Sequence, residues 1–375
     1  MVMANDPYGS IATPRLFVDY LQYARAIGNI NRYKENKGGF WDLDPTTITE
    51  TTNFTTGGDC NLYIYFQNEH ILDDSRGFQF GRLLETTNYF GLLGHNIGIC
   101  SNTADINQYH IGFSGHNPDG TSATVTATGF DDSLLFDRNN IGNEIGYSLC
   151  AFDGWSFGTG DFHDHAWEEM RLVINTISTS PFVTGDVIKV GSVTAGRYFN
   201  FPHSVNMDFS VSTEYTGIKT ERTQGGSDLI NINYYKPKMW GDLPAWTAIS
   251  GASDLTNYTN NSLARSEALR IQNYRTTSKT GKRVFSLKFS FLNKEDTFPK
   301  TFEDSMRGNI STTTGDITVE DNVLAYLNYT MGGKIPHIIQ PDNTKRDFAI
   351  VTGSDVKISQ QAPNMYQFST ILREV

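Results

Sequence analysis

Read as alternating apolar and polar positions, the chain gives its clearest signal at 284–291. Phe285, Leu287, Phe289 and Phe291 alternate there with Ser286, Lys288 and Ser290, which is the period of two expected of a half-buried strand. The pattern predicts that all four rings and branches share one covered face. A different kind of strand is predicted at 88–97, NYFGLLGHNI, where Tyr89, Phe90, Leu92 and Leu93 run without polar alternation. Such a run suits a central strand covered on both faces, and it is about half the ~10–12 residues a buried helix needs. Gly91 and Gly94 permit close backbone approach or a bulge, and His95-Asn96 then turns the chain out.

Residues 60–66, CNLYIYF, form another predicted strand, dense in aromatic and β-branched side chains. Further strands are predicted at 108–113, 124–128, 147–152, 169–177 and 187–193, separated by turn signals such as Asn117-Pro118-Asp119-Gly120 and Asp153-Gly154. Near the start, Pro14 precedes a short strand that runs into a helical turn ended by Gly28. After Gly196 the pattern weakens, and Arg222-Thr223-Gln224-Gly225-Gly226 marks a hairpin tip or arm.

Helical spacing is found at Val323, Leu324, Tyr326, Leu327 and Met331, with Thr318 and Asp321 resembling a capping box and Gly332-Gly333 ending the helix. Strands near 348–352 and 356–359 follow. A last alternating strand puts Tyr366, Phe368, Thr370 and Leu372 on one face. The fold class predicted is therefore mainly β, an antiparallel sandwich or jelly roll plus a smaller C-terminal β-sheet domain with one packed helix.

A chain of 375 residues exceeds one ordinary core. The reading divides it into an N-terminal arm at 1–58, a sandwich at 59–235, a linker at 236–264 and a C-terminal assembly domain at 265–375. The linker contains Pro237, Pro244, Trp240 and Trp246 among small polar residues. Pairing with another subunit is one role open to the N-terminal arm.

Charge narrows the partners. The net formal charge is −11, which opposes nonspecific binding to nucleic acid or anionic lipid. It is uneven: residues 1–264 carry 15 basic and 29 acidic side chains, whereas 265–300 carry nine basic and three acidic. Lys282, Arg283 and Lys288 in that basic segment are candidate contacts to an acidic neighbouring subunit, and a solvated basic face is the competing reading. Cys60, Cys100 and Cys150 are too few for a disulfide framework, so buried free thiols in a reducing cytoplasm are expected. The first residues lack the pattern of a signal peptide and no apolar run approaches ~18 residues, so no membrane insertion is expected.

The densest polar cluster is Asp161-Phe162-His163-Asp164-His165. His163 and His165 with Asp161 could ligate Zn or Mn. No third ligand stands at a recognised spacing, so a solvated loop is preferred and no cofactor is assigned. Asp137–Gly142 begins like a calcium loop, but Ile141 stands where an oxygen ligand belongs. His95 and Asn96 could hydrogen-bond a ligand at a sheet rim, although a turn cap is the commoner role. Trp155 and Trp167, placed on sandwich loops, could stack on sugar faces or anchor a core. No catalytic constellation emerges, so the chain is read as no enzyme.

These stretches resemble parts of tailed-bacteriophage tail and baseplate proteins. NYFGLLGHNI resembles a strand of the galactose-binding-like (discoidin-type) sandwiches found there, and Glu169-Met170-Arg171-Leu172-Val173-Ile174 with Val187-Ile188-Lys189-Val190-Gly191 is similar to the later strands of the same module. Glu221 to Gly226 resembles the arm that follows it. Val284 to Phe289, Pro336 to Asp342 and Tyr366 to Glu374 resemble the small β-domain of distal-tail and lambda-type minor tail proteins. The resemblance implies a structural virion component of the tail tip or baseplate, assembled in the host cytoplasm. It also implies a ring of copies, contacts with other tail proteins and, in some members, fibres. The runner-up it implies is a module that recognises host surface glycan.

Overall fold

The computed structural model describes residues 13–26, 43, 49–50, 60–65, 87–95, 109–116, 125–131, 147–156, 169–176, 189–201, 204–215, 218–232, 281–298, 309–310, 317–318, 322–342 and 348–375. Among them the protein is mainly β, with antiparallel ladders and few helices. Eight strands carry the first architectural rule: β2 (Thr49–Glu50), β3 (Cys60–Tyr65), β4 (Tyr89–His95), β5 (Tyr109–His116), β6 (Val125–Asp131), β7 (Tyr147–Ser156), β8 (Glu169–Thr176) and β9 (Lys189–Asn200). They pair as nested partners, β2 with β9, β3 with β8, β4 with β7 and β5 with β6. A long antiparallel hairpin rolled up on itself gives that nesting, which is jelly-roll connectivity. Ladders between β4 and β9 and between β5 and β8 complete the rows β2-β9-β4-β7 and β3-β8-β5-β6, and β6 with β7 joins them.

The apolar run at the heart of this roll is where the pattern placed it. Tyr89, Phe90, Leu92 and Leu93 of β4 are fully buried between β7 and β9. Strand β1 (Arg15–Asp19) lies on the other edge of β9, pairing Leu16 with Phe199 and Asp19 with Gly196. Its far edge takes β16 (His337–Gln340), with Leu16 opposite Ile339. From there the sheet continues through β17 (Ala349–Ala362), β18 (Met365–Glu374), β13 (Lys282–Asn293) and β10 (Ser210–Glu214). The N-terminal strand, for which pairing with another subunit was one expectation, thus joins two parts of its own chain.

One apolar cluster crosses this seam. Phe17 packs edge-on against Tyr89, with ring centroids 5.2 Å apart, and lies 6.0 Å from Phe348; Ile338 and Ile350 belong to the same cluster. This cluster draws residues from both 59–235 and 265–375, with β1 supplying the strand on which both sides close. Residues 233–280, which include the expected linker, lie outside the described residues. A second cluster stacks Phe201 on Phe289 at 3.8 Å and places Tyr326 edge-on to Phe368 at 6.5 Å. Tyr326 belongs to α3 (Val323–Tyr329), the packed helix; α1 (Tyr20–Ala26) and α2 (Lys294–Thr297) are the other two described helices.

Local chemistry explains four departures from the pattern. Phe291 does not join Phe285, Leu287 and Phe289 on the covered face: the register slips between Phe289 and Leu292, Phe291 adopts φ 64° and is 66% exposed, and Leu292 takes the buried place. The strands expected at 348–352 and 356–359 are one strand, β17, bent by a bulge at Asp355 with φ 55°. The helix is capped by Asn322, whose side chain accepts from the Ala325 amide at 2.8 Å, while Thr318 sits in the two-residue strand β15 (Ile317–Thr318) beside β14 (Asn309–Ile310). Asp153-Gly154 is no turn; both lie inside β7, with Gly154 opposite Thr128. The glycine pair after α3 does end it, with Gly332 at φ 69° and its amide bonded to the Leu327 carbonyl at 2.7 Å.

Candidate functional site

Two of the buried polar groups at the seam are an acid and an imidazole, Asp19 and His337. Asp19, at the end of β1, accepts a hydrogen bond from the Leu21 amide at Oδ1, 2.8 Å away. Burial pushes its carboxyl up to about 7, opposed by hydrogen bonds from the Leu21 amide, the Thr194 hydroxyl and the amides of Ala195 and Gln22. Tyr89 and Thr194 hydrogen-bond through their hydroxyls at 3.0 Å. A side chain at Gly196 would collide with the Val18 carbonyl oxygen, so glycine is what allows β1 to close on β9. His337 is fully buried, with Nδ1 2.8 Å from the Ile335 carbonyl oxygen and Nε2 2.9 Å from the Tyr326 hydroxyl. A carbonyl only accepts, so Nδ1 carries the proton and Tyr326 donates to Nε2. Burial lowers the His337 pKa to about 4. Both groups are enclosed by packing and serve the fold.

The accessible chemistry lies elsewhere, at the edge of the sheet. Strand β10 is the terminal strand beside β13, and all five of its residues are exposed. Just before it, Asn206 pins the β13 bulge: its Nδ2 donates to the Ser290 hydroxyl at 2.8 Å, its Oδ1 accepts from the Ser290 amide, and its amide donates to the Lys288 carbonyl. The bulge thereby holds Phe291 out in solvent, near an edge that also exposes Met207, Val211 and Tyr215.

After Tyr215 comes the hairpin foreseen at 222–226. Strands β11 (Ile218–Arg222) and β12 (Asp228–Ile232) pair only with each other among the described strands. The turn is a three-residue loop: the Gly226 amide bonds the Thr223 carbonyl at 2.9 Å, the Thr223 amide bonds the Ser227 carbonyl at 2.8 Å, and Gly226 takes φ 84°. Every residue from Ile218 to Ile230 is exposed except Thr223, which is half-buried, and Leu229 and Ile230 are 60% and 62% exposed. Among the described residues nothing covers either face of this arm.

The residues proposed from sequence are distributed as follows. Arg283 is held within its own chain: its guanidinium bonds Glu374 at 3.2 Å and the Phe348 carbonyl at 2.9 Å, and its amide donates to the same carboxylate at 2.8 Å. Lys288 pairs with Asp208 at 3.3 Å on the surface, and Lys282 stands opposite Glu214 in register. The basic segment thus meets acidic partners of its own chain at two positions, Arg283 and Lys288, while Glu214 pairs with Arg373, and a charge reversal at Arg283 would strike the fold itself. His95 is the last residue of β4, opposite Val190. Trp155 is a strand residue of β7 opposite Ala127, not a loop residue. Asn96, Asp161, His163, His165 and Trp167 lie outside the described residues.

No protein-family model and no curated protein sequence matches this chain. No helix among the described residues is long and apolar enough to cross a membrane. What fold and surface define together is a β protein of jelly-roll connectivity whose sheet is prolonged by C-terminal strands and bears an exposed hairpin arm.

Proposed function

We propose that this chain is a non-enzymatic structural component of a bacteriophage tail tip or baseplate, acting through contacts with copies of itself and with other tail proteins. The observation that carries this reading is the arm at 218–232, a two-stranded ribbon with Leu229 and Ile230 on opposite faces in water. A lone hairpin is marginal in water and gains stability from a third strand or a packed surface, and exposed apolar side chains gathered on such an edge mark contact with another protein. The resemblance of the sandwich strands to galactose-binding-like modules, and of Val284 to Phe289 and Tyr366 to Glu374 to small tail-tip β-domains, supports the choice of virion over other assemblies. Location in the phage tail after assembly in the host cytoplasm is part of the same proposal.

Mass spectrometry of purified virions, followed by cryo-EM of the tail, tests it. Peptides of this chain in virions and density for its long sheet at the tail tip are expected. Recovery from infected-cell lysate with none in virions would overturn it.

A further inference from the structure

We infer that the outer edge of β11 pairs antiparallel with β11 of a second copy of this chain, about a two-fold axis through Thr220. This rests on reading the arm as an assembly element, but not on the virion in which it would serve. The hairpin's hydrogen bonds fix which backbone groups are available. The Thr223 amide bonds the Ser227 carbonyl, so 223 and 227 form a hydrogen-bonded pair, and in an antiparallel ladder such pairs alternate. With the register Glu221↔Leu229 and Lys219↔Asn231, Glu221 and Lys219 face β12. Ile218, Thr220 and Arg222 then direct their N–H and C=O groups to the outer edge.

An edge of that form can be completed by its own copy. A two-fold axis at Thr220 sets Thr220 opposite Thr220, and Ile218 opposite Arg222, as hydrogen-bonded pairs. It sets Lys219 opposite Glu221, twice, as non-hydrogen-bonded pairs, where side chains approach most closely. The two charged residues share a face of the arm, since they are two apart on one strand. Both are exposed in the single chain. The contact is isologous, and it turns two marginal ribbons into one four-stranded sheet.

The other outer edge does not offer this. An equivalent axis at Ile230 of β12 would place Asp228 opposite Ile232 and Leu229 opposite Asn231, with no charge compensated. Edge strand β10, centred on Ser212, would place Glu214 opposite Ser210. Of these three strands, compared over the described residues, β11 has the self-complementary charge order, and this selects a second copy as its partner.

Charge reversal on the full chain tests the register, with association measured by sedimentation velocity across concentration. Lys219→Glu alone or Glu221→Lys alone creates two like-charge pairs and should weaken self-association about tenfold or more. The double variant K219E/E221K restores both pairs in reversed order and should return to within about threefold of wild type. Thr220→Cys should form a covalent dimer with a short bis-maleimide at a rate above the wild-type background, and Ile230→Cys should not. Single and double variants associating alike, selective cross-linking at Ile230→Cys, or a wild-type chain that stays monomeric throughout would each overturn the pairing. Because the readout is the purified chain, its failure leaves presence in virions to be decided separately by the particle analysis above.

Discussion

Asp19 and His337 stand in strands on either side of the seam, and their pKa displacements have opposite signs. A carboxyl that titrates near 3.8 unfolded and about 7 folded leaves the folded state with more bound protons between those values, so its contribution is present at low pH and lost as pH rises from about 4 to 7. His337, near 6.5 unfolded and about 4 folded, contributes above about 6.5, and that contribution is lost as pH falls toward 4. Between pH ~4 and ~6.5 the two slopes offset each other. Asp19→Asn keeps the shape and removes only the first slope. Urea unfolding at pH 6.5 and 4.5 should therefore show the variant losing ~2 kcal/mol more than wild type over that interval; equal losses would refute the assignment. A second residue-scale contrast lies in the basic segment. Arg283→Glu sets a carboxylate beside Glu374, whose side chain is 5% exposed, and should destabilise the chain by ~2–4 kcal/mol. Lys288→Glu disturbs only a surface pair, 40% and 58% exposed, and should stay within ~0.5–1 kcal/mol. Thermal and urea unfolding of both variants measure the difference.

Elements were legible where one force set them. The unbroken run in β4 and the alternation at Tyr366, Phe368, Thr370 and Leu372 reflect burial alone, and Phe368, Thr370 and Leu372 are buried as expected. Failures cluster where a bulge changes the period. Asn206, some 80 residues upstream, fixes the turn at Ser290 that throws Phe291 outward, and no local pattern in 284–291 could encode a partner so distant. The same holds at Asp355, where a positive φ keeps one long strand continuous across what looks like a break. The cap of α3 shows the converse error: Thr318 and Asp321 have suitable side chains, yet Asn322 is nearer the first helical turn and takes the Ala325 amide. The hairpin tip was legible because Gly226 is needed at φ 84°. That its flanking Ile218, Leu229 and Ile230 remain in water was not, since β-branched and aliphatic residues beside a turn ordinarily signal a buried ladder.

At the scale of the whole molecule, the apolar cluster shared across β1 was not legible, for a topological reason. Strand β1 is separated by ~180 residues from β9 and by ~320 from β16, and long-range pairing of this kind leaves no trace in local hydrophobic pattern. The chain commits its first described strand to joining a jelly roll to a C-terminal sheet, with Gly196 providing the close approach. Among the described elements, the arm and the edge strand β10 keep backbone edges and apolar side chains open, and on the pairing proposed above it is the arm that a second copy completes. Amide hydrogen exchange of the full-length protein across a concentration series measures this directly. The outward amides of Ile218, Thr220 and Arg222 should gain protection as concentration rises, while those of β4 and β9 stay protected throughout. Arm amides that exchange at one fast rate at every concentration, beside a fully protected β4, would contradict the account.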